Sequence, residues 1–476
     1  MASPRLLPRQ EGPPQVPGMN FACGITNLGF VWEAFCGQRT WRLHQMLQTQ
    51  PIIRLGPRSL CFGDASTVKD IYGHSTLCRK DDLYRVTQGA APHILDVVER
   101  DEHSRKRWLV ANAYASRNVE TWEYKVADKV FRLITRFDEL CDSRETVDFR
   151  KWTNLFTVEA IADIGPGHKF GFLESGNDLV TVRQSDGSIC EYSFIQSLHG
   201  SNAASSKVAW ETEWFSPLVK LCKTFIPSFR TQAQGGEKFG RIVKFLLQKR
   251  LARGALDGAH RNVDASELEA ETTLMMNAGS DTTAIQLTNV MYQLLKNPSK
   301  LATLRKELDA ALKDQGQDQD QPVVVPYAEV KALPYLQACL DEALRITPPV
   351  AFGLPRRTPP QGAMIGGTWV PGDVTVCIPA YTAHRDEKWF PDPEAYQPER
   401  WLKEDSAKLQ SQFIAFSAGA RGCLGRNISY LEQTVLFASL LRRYNFSLVD
   451  EGWSPERRED FNLLSGTMPV RIKRRT

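Results

Sequence analysis

The sequence predicts a single, mainly helical domain that carries small β-sheets. Helical patterns of apolar residues dominate from Arg100 to about Arg253, and one long periodic segment runs from Ala265 to Leu295. Short runs with the composition of strands lie outside this region, at residues 52–57, 60–62, 369–370 and 374–376. No linker is long enough to separate independent domains, so we expect one folded unit.

The elements are expected in the following order. Residues 1–39 are predicted to be an irregular lead-in, because the first part of this range is rich in Pro and Arg. The helical region is predicted to break at residues 165–167 and 201–206, where Gly and Ser are frequent. The long segment should end before Pro298, since the residue before a proline disfavours helix. The polar run at 314–322 is predicted to be a solvated loop.

The amino-acid composition excludes some classes of function. The chain has 476 residues, of which 42% are apolar and 24% charged, as in ordinary globular proteins. Its 59 Lys and Arg against 55 Asp and Glu leave a formal charge of only +4, which gives no case for a nucleic-acid partner. Ten scattered cysteines without a CxxC pair indicate reduced thiols in a cytosol-facing compartment. No segment has the length and apolar character of a membrane span or signal peptide.

The segment from Phe416 to Gly425 is the most informative. Cys423 stands among glycines, and apolar residues at helical spacing follow it. A thiolate at a helix start gains from the helix dipole and from free backbone N–H groups, which glycines allow to point at the sulfur. Such a sulfur is a good axial ligand for haem iron. The alternative is an inert cysteine buried in a turn.

This segment resembles the haem-binding loop of the cytochrome P-450 family, whose pattern is Phe-x-x-Gly-x-Arg-x-Cys-x-Gly. All five positions match, as Phe416, Gly419, Arg421, Cys423 and Gly425. The resemblance covers roughly residues 40–476 and implies a cytochrome P-450 fold: one catalytic domain that binds haem b (iron protoporphyrin IX) with Cys423 as the iron ligand. It is strongest with fungal members that act on secondary metabolites.

A second motif of the family is Glu-x-x-Arg, which Glu342 and Arg345 match. Their spacing of three places them on one helix face, where an exposed ion pair contributes only about 0–1 kcal/mol. The family instead locks this pair onto a later arginine, here Arg400. The resemblance therefore implies a buried structural network that fixes the core around the haem.

The long helix carries a third motif, in which Asp281 and Thr282 follow the small residues Ala278 and Gly279. In the family this stretch crosses the distal side of the haem, the small residues allow close approach to the porphyrin, and the acid and alcohol relay protons for dioxygen cleavage. The alternatives are a Thr282 hydroxyl bonded back to the carbonyl four residues earlier and a solvated Asp281.

Haem propionates are anionic and require basic partners. The resemblance implies Arg421 and Arg356 for this role, with Arg107 and His103 four residues apart on one helix face. The family often has Trp where His103 stands. Each of these residues has the alternative of being an ordinary surface charge.

The resemblance implies two classes of partner. Largely apolar segments at Val86–Ile94, Met275–Ala278, Val350–Leu354 and Leu464–Met468 would line the pocket of a hydrophobic small-molecule substrate. Electrons would come from NADPH through a flavoprotein reductase. A basic docking face for that reductase would comprise Arg105, Lys106, Arg426, Arg442 and Arg443, the last two with the alternative of plain surface charges. Most eukaryotic members carry a membrane anchor that this sequence does not show, so peripheral contact with the endoplasmic reticulum membrane is the expectation.

The predicted activity is monooxygenation, in which one oxygen atom enters a C–H or C=C bond and the other leaves as water. A haem-thiolate isomerase or dehydratase that does not use O2 is one alternative, against which the presence of Asp281 and Thr282 argues. A non-catalytic haem-binding protein is the other.

Overall fold

The computed structural model describes residues 16–143, 145–184, 187–254, 264–313 and 322–475. Within these ranges the protein is mainly helical with small β-sheets, and this confirms the predicted fold class. The predicted loop at 314–322 falls outside the described residues except at its last position.

The helices of the first half of the chain are α1 Leu28–Cys36, α2 Arg39–Leu47, α3 Val68–Tyr72, α4 Leu83–Val86, α5 Arg100–Ala111, α6 Ser116–Val119, α7 Glu123–Ser143, α8 Phe149–Ile164, α9 Phe172–Ser175, α10 Phe194–Val208, α11 Phe215–Phe225 and α12 Pro227–Ala252. Those of the second half are α13 Ala265–Lys296, α14 Pro298–Ala311, α15 Tyr327–Val330, α16 Pro334–Ile346, α17 Ala380–Ala383, α18 Ser406–Gln410 and α19 Arg426–Arg443.

The strands form small sheets. Five of them, β1 Ile52–Gly56, β2 Ser59–Phe62, β3 Arg79–Lys80, β7 Arg356–Arg357 and β10 Thr375–Cys377, pair in the order β1-β2-β10-β7-β3. A second sheet has the order β11-β14-β4, from β4 Val147–Asp148, β11 Tyr444–Leu448 and β14 Pro469–Arg474. Three hairpins complete the described strands: β5 Leu179–Arg183 with β6 Ile189–Ser193, β8 Ala363–Ile365 with β9 Thr368–Val370, and β12 Arg457–Glu459 with β13 Leu463–Ser465.

Helix α13 crosses the centre of the molecule and agrees closely with its predicted bounds. It ends at Lys296, just before the Asn297–Pro298 sequence, and its second half is almost entirely buried. Gly279 brings it against α8, because a Cβ atom there would lie only 2.5 Å from Cγ1 of Ile161. Gly279 is thus needed where α13 packs on α8. That it also allows close approach to a porphyrin stays a prediction.

Three local predictions are corrected by the structure. Residues 201–206 do not break the helical region but lie inside α10, because Gly200 packs against α12 so closely that a Cβ atom would lie 2.8 Å from the Gln232 carbonyl oxygen. Tertiary packing here overrides weak helix propensity. The lead-in at 1–39 is not irregular throughout, since α1 buries Phe30, Val31 and Ala34. The region predicted to be helical also contains the β5–β6 hairpin.

The largest apolar core joins α7, α8, α13, α16 and α19 with the sheet of β4, β11 and β14. Smaller cores lie under the five-stranded sheet and beneath α1 and α2. In the described part of the chain, none of the helices combines the length and the apolar character that crossing a membrane requires.

Candidate active site

Cys423 lies between a short 3-10 turn at Gly419–Arg421 and the first residue of α19. Its backbone N–H donates to the Phe416 carbonyl oxygen at 2.8 Å, which closes the loop. The backbone N–H groups of Gly425 and Arg426 face the sulfur and lower the pKa of the thiol. The loop thus presents the sulfur at the N-terminal end of an 18-residue helix, where backbone donors and the helix dipole stabilise a thiolate.

The Cys423 side chain is solvent-accessible although it is recessed among protein atoms, so a ligand could reach the sulfur. Burial raises the pKa of the thiol, while the two N–H groups and the guanidinium of Arg107 oppose that rise. In this environment the sulfur becomes a stable anion when a further positive charge, such as a metal ion, binds to it.

The glycine at position 419 is required by two features of the loop. Its φ of +63° is in the left-handed region, which residues with a Cβ atom rarely adopt. A Cβ atom there would also lie 2.3 Å from the Tyr72 carbonyl oxygen, at the end of α3. Gly425 is different: its φ is −74°, and an added Cβ atom would meet only the Cys423 sulfur, at 3.9 Å.

A cluster of basic side chains lies beside the cysteine loop. It contains the buried His103 and Arg356 and the half-buried Arg421, all three predicted from the sequence, and the buried Lys80, which was not predicted. Arg421 donates to the carbonyl oxygens of Val97 (2.6 Å) and Val98 (3.0 Å), and Arg356 to that of Pro355 (3.0 Å). These arginines are therefore held by backbone carbonyls rather than by carboxylates.

The pKa values in this cluster reflect its excess of positive charge. Burial, and then the neighbouring Arg421, Lys80, Arg107 and Arg356, lowers the pKa of His103 to about 3. Burial and the charge of Arg356 lower the pKa of Arg421 to about 10. Burial and the charges of Arg356 and Arg421 hold the pKa of Lys80 well below its usual range. Such a concentration of cations fits an anionic group of more than one charge.

Arg107 connects this cluster with the cysteine loop. Its Nη1 donates to the Gly422 carbonyl oxygen at 2.9 Å, one residue before Cys423. Burial lowers the pKa of Arg107, and the nearby thiol acts in the opposite direction. A sulfur ligand and a cation cluster, bridged by Arg107, match the iron and the two propionates of haem b, so the residues present fit this group.

Asp281 is buried and makes three charge-assisted hydrogen bonds. Its carboxylate accepts from Nη2 of Arg150 (2.7 Å), Nε2 of His199 (3.0 Å) and Nδ2 of Asn462 (2.8 Å). Although burial opposes ionisation, His199, Arg150 and Asn462 hold the pKa of this carboxyl well below its ordinary value. Asp281 is thus an ionised anchor between helices rather than a solvated acid.

Thr282 donates its hydroxyl to the Ala278 carbonyl oxygen at 2.8 Å, which is the back-bonded arrangement considered from the sequence. The side chain is partly accessible, and Ala278 is exposed although it lies in the middle of the long helix. Since Asp281 and Thr282 each bond to other groups in the described part of the chain, the structure does not join the two residues directly.

Glu342, Arg345 and Arg400 form one buried network. Arg345 donates two hydrogen bonds of 2.9 Å to the Glu342 carboxylate, and Nε of Arg400 donates a third at 3.0 Å. Trp401 Nε1 adds a fourth donor at 2.9 Å, and the remaining guanidinium N–H groups bind carbonyl oxygens such as that of His384. The network fixes the segment at 384–401 against α16.

The predicted basic docking face is not formed as a unit. Lys106 is buried and paired with Glu267 and Glu271, so it is unavailable to a partner. Arg443 is mostly buried and paired with Asp138 at 2.6 Å. The acids that pair with Lys106 and Arg443 are distant in the sequence, so the sequence pattern could not indicate these ion pairs. Arg426 is exposed at the start of α19, where its guanidinium lies 5.7 Å from the Phe416 ring centre.

Comparison with known proteins agrees with this geometry. Residues 36–474 match the cytochrome P450 family. Benzoate 4-monooxygenase bphA of Aspergillus niger is 29% identical over 457 residues, covering 89% of this chain and 86% of its own. Cytochrome P450 monooxygenase cicH of Emericella nidulans is 29% identical, covering 97% and 93%. Cytochrome P450 monooxygenase atr2 of Stereocaulon alpinum is 30% identical, covering 86% and 80%.

The fold has a solved counterpart as well. The crystal structure of a cytochrome P450, CYP102L1, superposes with a TM-score of 0.73 over 92% of this chain and 94% of that one, at 18% identity. Fold and cysteine loop together define a haem-thiolate protein. The chain belongs to the cytochrome P450 family, and it is an oxidoreductase of the monooxygenase class that uses haem b.

Proposed function

We propose that this protein hydroxylates or epoxidises a hydrophobic small molecule in fungal secondary metabolism, with electrons delivered from NADPH by a flavoprotein reductase on the cytosol-facing side. The observation that carries the proposal is the position of Cys423 at the N-terminal end of α19, where the backbone N–H groups of Gly425 and Arg426 lower the pKa of the thiol. They stabilise a thiolate in the position where this family binds iron.

The residues of the site have separate tasks. When bound, haem b supplies the redox chemistry of dioxygen. Cys423 would hold the iron, and the propionates would be held by Lys80, Arg356, Arg421 and Arg107, together with His103. Thr282 carries a proton at Oγ1 in the pocket, and it presents that proton to a reactant once it releases the Ala278 carbonyl oxygen. Asp281, fixed by its three donors, positions this turn of α13.

The activity is tested with purified, haem-loaded protein. Reduction under carbon monoxide should give the red-shifted Soret band of sulfur-ligated haem, and Cys423→Ser should remove it. With reductase, NADPH and isotopically labelled dioxygen, the product should gain one labelled oxygen atom. A product formed without the label would favour an isomerase or dehydratase, and the absence of any product from all tested substrates would favour a non-catalytic protein.

Peripheral contact with the endoplasmic reticulum membrane is supported by one exposed apolar surface, which we define as Phe21, Ile25, Trp32, Trp214, Leu221 and Phe225. Residues 21–32 and 214–225 form the two parts of this surface, and Glu211 links them. The Glu211 carboxylate accepts from the Thr26 hydroxyl and from the Asn27 N–H, the latter at 3.1 Å. Aromatic side chains of this kind bind the interface of a lipid bilayer.

Flotation with phosphatidylcholine vesicles tests this contact. Trp214→Ser and Phe225→Ser together should reduce the vesicle-bound fraction several-fold. Trp108→Ser is the control, because Trp108 is even more exposed than Trp214 and Phe225 but lies on α5. Equal binding of both variants would contradict the assignment of this surface.

A further inference from the structure

Two asparagines join α10 to α13. Nδ2 of Asn202 donates to Oδ1 of Asn277 at 3.2 Å, and Nδ2 of Asn277 donates to Oδ1 of Asn202 at 2.8 Å. One helical turn away on each helix, His199 donates to Asp281 at 3.0 Å. The spacings of three on α10 and four on α13 place these contacts on facing sides of the two helices. The helices therefore meet here through polar groups.

Asn277 lies within Met275–Ala278, the stretch of α13 that is predicted to line the substrate pocket. Asn277 directly precedes Ala278, which is exposed although it is in the centre of the molecule, and both asparagines are only half-buried. From Ser280 to Met291, Thr282 is the one residue of α13 that is not buried, and the whole stretch is described. Positions 277, 278 and 282 are accessible at and just after this stretch, and we expect a substrate to meet them.

Each amide has hydrogen-bonding capacity to spare. A primary amide has two N–H donors and an oxygen with two lone pairs, and the reciprocal pair uses one donor and one lone pair of each residue. One N–H and one lone pair per residue remain. A purely hydrocarbon ligand packed against them would displace water and leave them unsatisfied, whereas a ligand with a polar oxygen would replace the water.

The charges near the pair are already balanced. Asp281 is neutralised by Arg150, and the two side chains are 1% and 5% exposed. The amides themselves carry no charge. This part of the wall therefore offers hydrogen bonds without an ionic partner, and it favours a neutral polar group over a carboxylate or an ammonium.

We infer that Asn202 and Asn277 determine specificity, and that the substrate is a hydrophobic molecule with a neutral carbonyl or hydroxyl oxygen that binds against this amide pair. The inference rests on the proposed function and names the substrate class for the same pocket. The two residues act on substrate selection and not on the chemistry at the iron.

The test compares ketones with their parent hydrocarbons. The probes are two pairs of molecules with the same carbon skeleton: indanone with indane, and fluorenone with fluorene. Equilibrium dialysis against haem-loaded protein gives the dissociation constant of each. The native protein should bind at least one ketone about tenfold more tightly than its hydrocarbon, the factor that one satisfied hydrogen bond provides. Asn202→Leu and Asn277→Leu should each abolish that preference and leave hydrocarbon binding unchanged or tighter.

Controls make the result specific. Asn445→Leu removes an exposed asparagine on β11 and should keep the preference. If Asn202→Leu does not fold, Asn202→Ala replaces it, because this variant also removes the amide and adds no bulk. Ketone and hydrocarbon affinities that fall by the same factor would mean that the pair only holds two helices together, and would overturn the inference. So would a native protein without any ketone preference, or one that binds none of the four probes.

The carbon monoxide spectrum separates this inference from the proposed function. A variant that keeps the sulfur-ligated band but shows no change in ligand preference contradicts the substrate class alone. A native protein that lacks the band contradicts the proposed function first.

Discussion

Arg150 of α8 and Asp281 of α13 form a buried ion pair, with 2.7 Å between Nη2 and Oδ1. The pair joins the two helices at the point where α13 borders the pocket. His199 of α10 and Asn462 of the β12–β13 turn complete the ring of donors around the carboxylate. The Asp281 carboxylate thus joins α13 to α8, α10 and the β12–β13 turn. We therefore expect the free energy of unfolding to depend on its negative charge.

Asp281→Asn should destabilise the protein by about 3–5 kcal/mol at neutral pH, because it leaves the Arg150 charge buried without a partner. The folded-state pKa of Asp281 lies below its ordinary value of about 4, so its contribution is complete above that pH and is lost as the pH falls toward the folded-state pKa. Urea unfolding at a series of pH values should show the native and D281N curves converging in acid.

Asp405→Asn is the control for this measurement, because Asp405 is exposed. Its effect should stay within about 0.5 kcal/mol at every pH. A constant gap between the native protein and D281N down to acid pH would mean that the charge of Asp281 does not carry the stability.

The buried network of Glu342, Arg345 and Arg400 permits a second prediction. Glu342→Gln should cost about 3–5 kcal/mol, since it leaves Arg345 and Arg400 buried with the positive charge of both uncompensated. Denaturant unfolding, followed by haem release and by circular dichroism, measures the loss. Lys331→Ala breaks the half-exposed pair with Glu120 and should cost less than about 1 kcal/mol. Equal costs for the two variants would contradict a structural role that depends on burial.

The parts of this molecule that were predictable from sequence depend on local signals. The bounds of α13 follow from apolar periodicity and from Pro298, and the cysteine loop follows from glycines at fixed spacing. The partners of Asp281 stand 131, 82 and 181 positions away, so no local pattern could indicate them. Lys80 was missed for a related reason: it sits in the charged run 79–82, which is typical of an exposed turn, yet the five-stranded sheet buries it.

Lys80 provides a third prediction. Its burial beside Arg356 and Arg421 is costly, and the nearby Asp96, whose pKa burial raises to about 7, offsets the charge only in part, so we expect Lys80 to bind a haem propionate. Lys80→Met keeps most of the side-chain volume and removes the charge. It should speed haem transfer to apomyoglobin by about tenfold, in keeping with the loss of one charge-assisted hydrogen bond. Lys69→Met, at an exposed position on α3, is the control, and identical transfer rates for K80M and K69M would exclude Lys80 from the site.

Thr282 provides the last prediction, because its hydroxyl is the accessible proton donor on this turn of α13. Thr282→Ala should leave the carbon monoxide spectrum intact, since the hydrogen bond it removes is local and the neighbouring contacts of Asp281 remain. Product formed per NADPH consumed should fall several-fold, with a matching rise in hydrogen peroxide, because proton delivery to dioxygen becomes less well directed.

Thr273→Ala is the matched control for Thr282. The Thr273 hydroxyl makes the same type of bond, to the Glu269 carbonyl oxygen at 2.8 Å, more than two helical turns before Thr282. Its coupling of NADPH use to product should equal that of the native protein. If T282A is as well coupled as T273A, the hydroxyl has no part in proton delivery, and the back-bonded geometry seen here is its whole role. A loss of coupling confined to T282A would assign the proton to this side chain, with Asp281 limited to holding the turn in place.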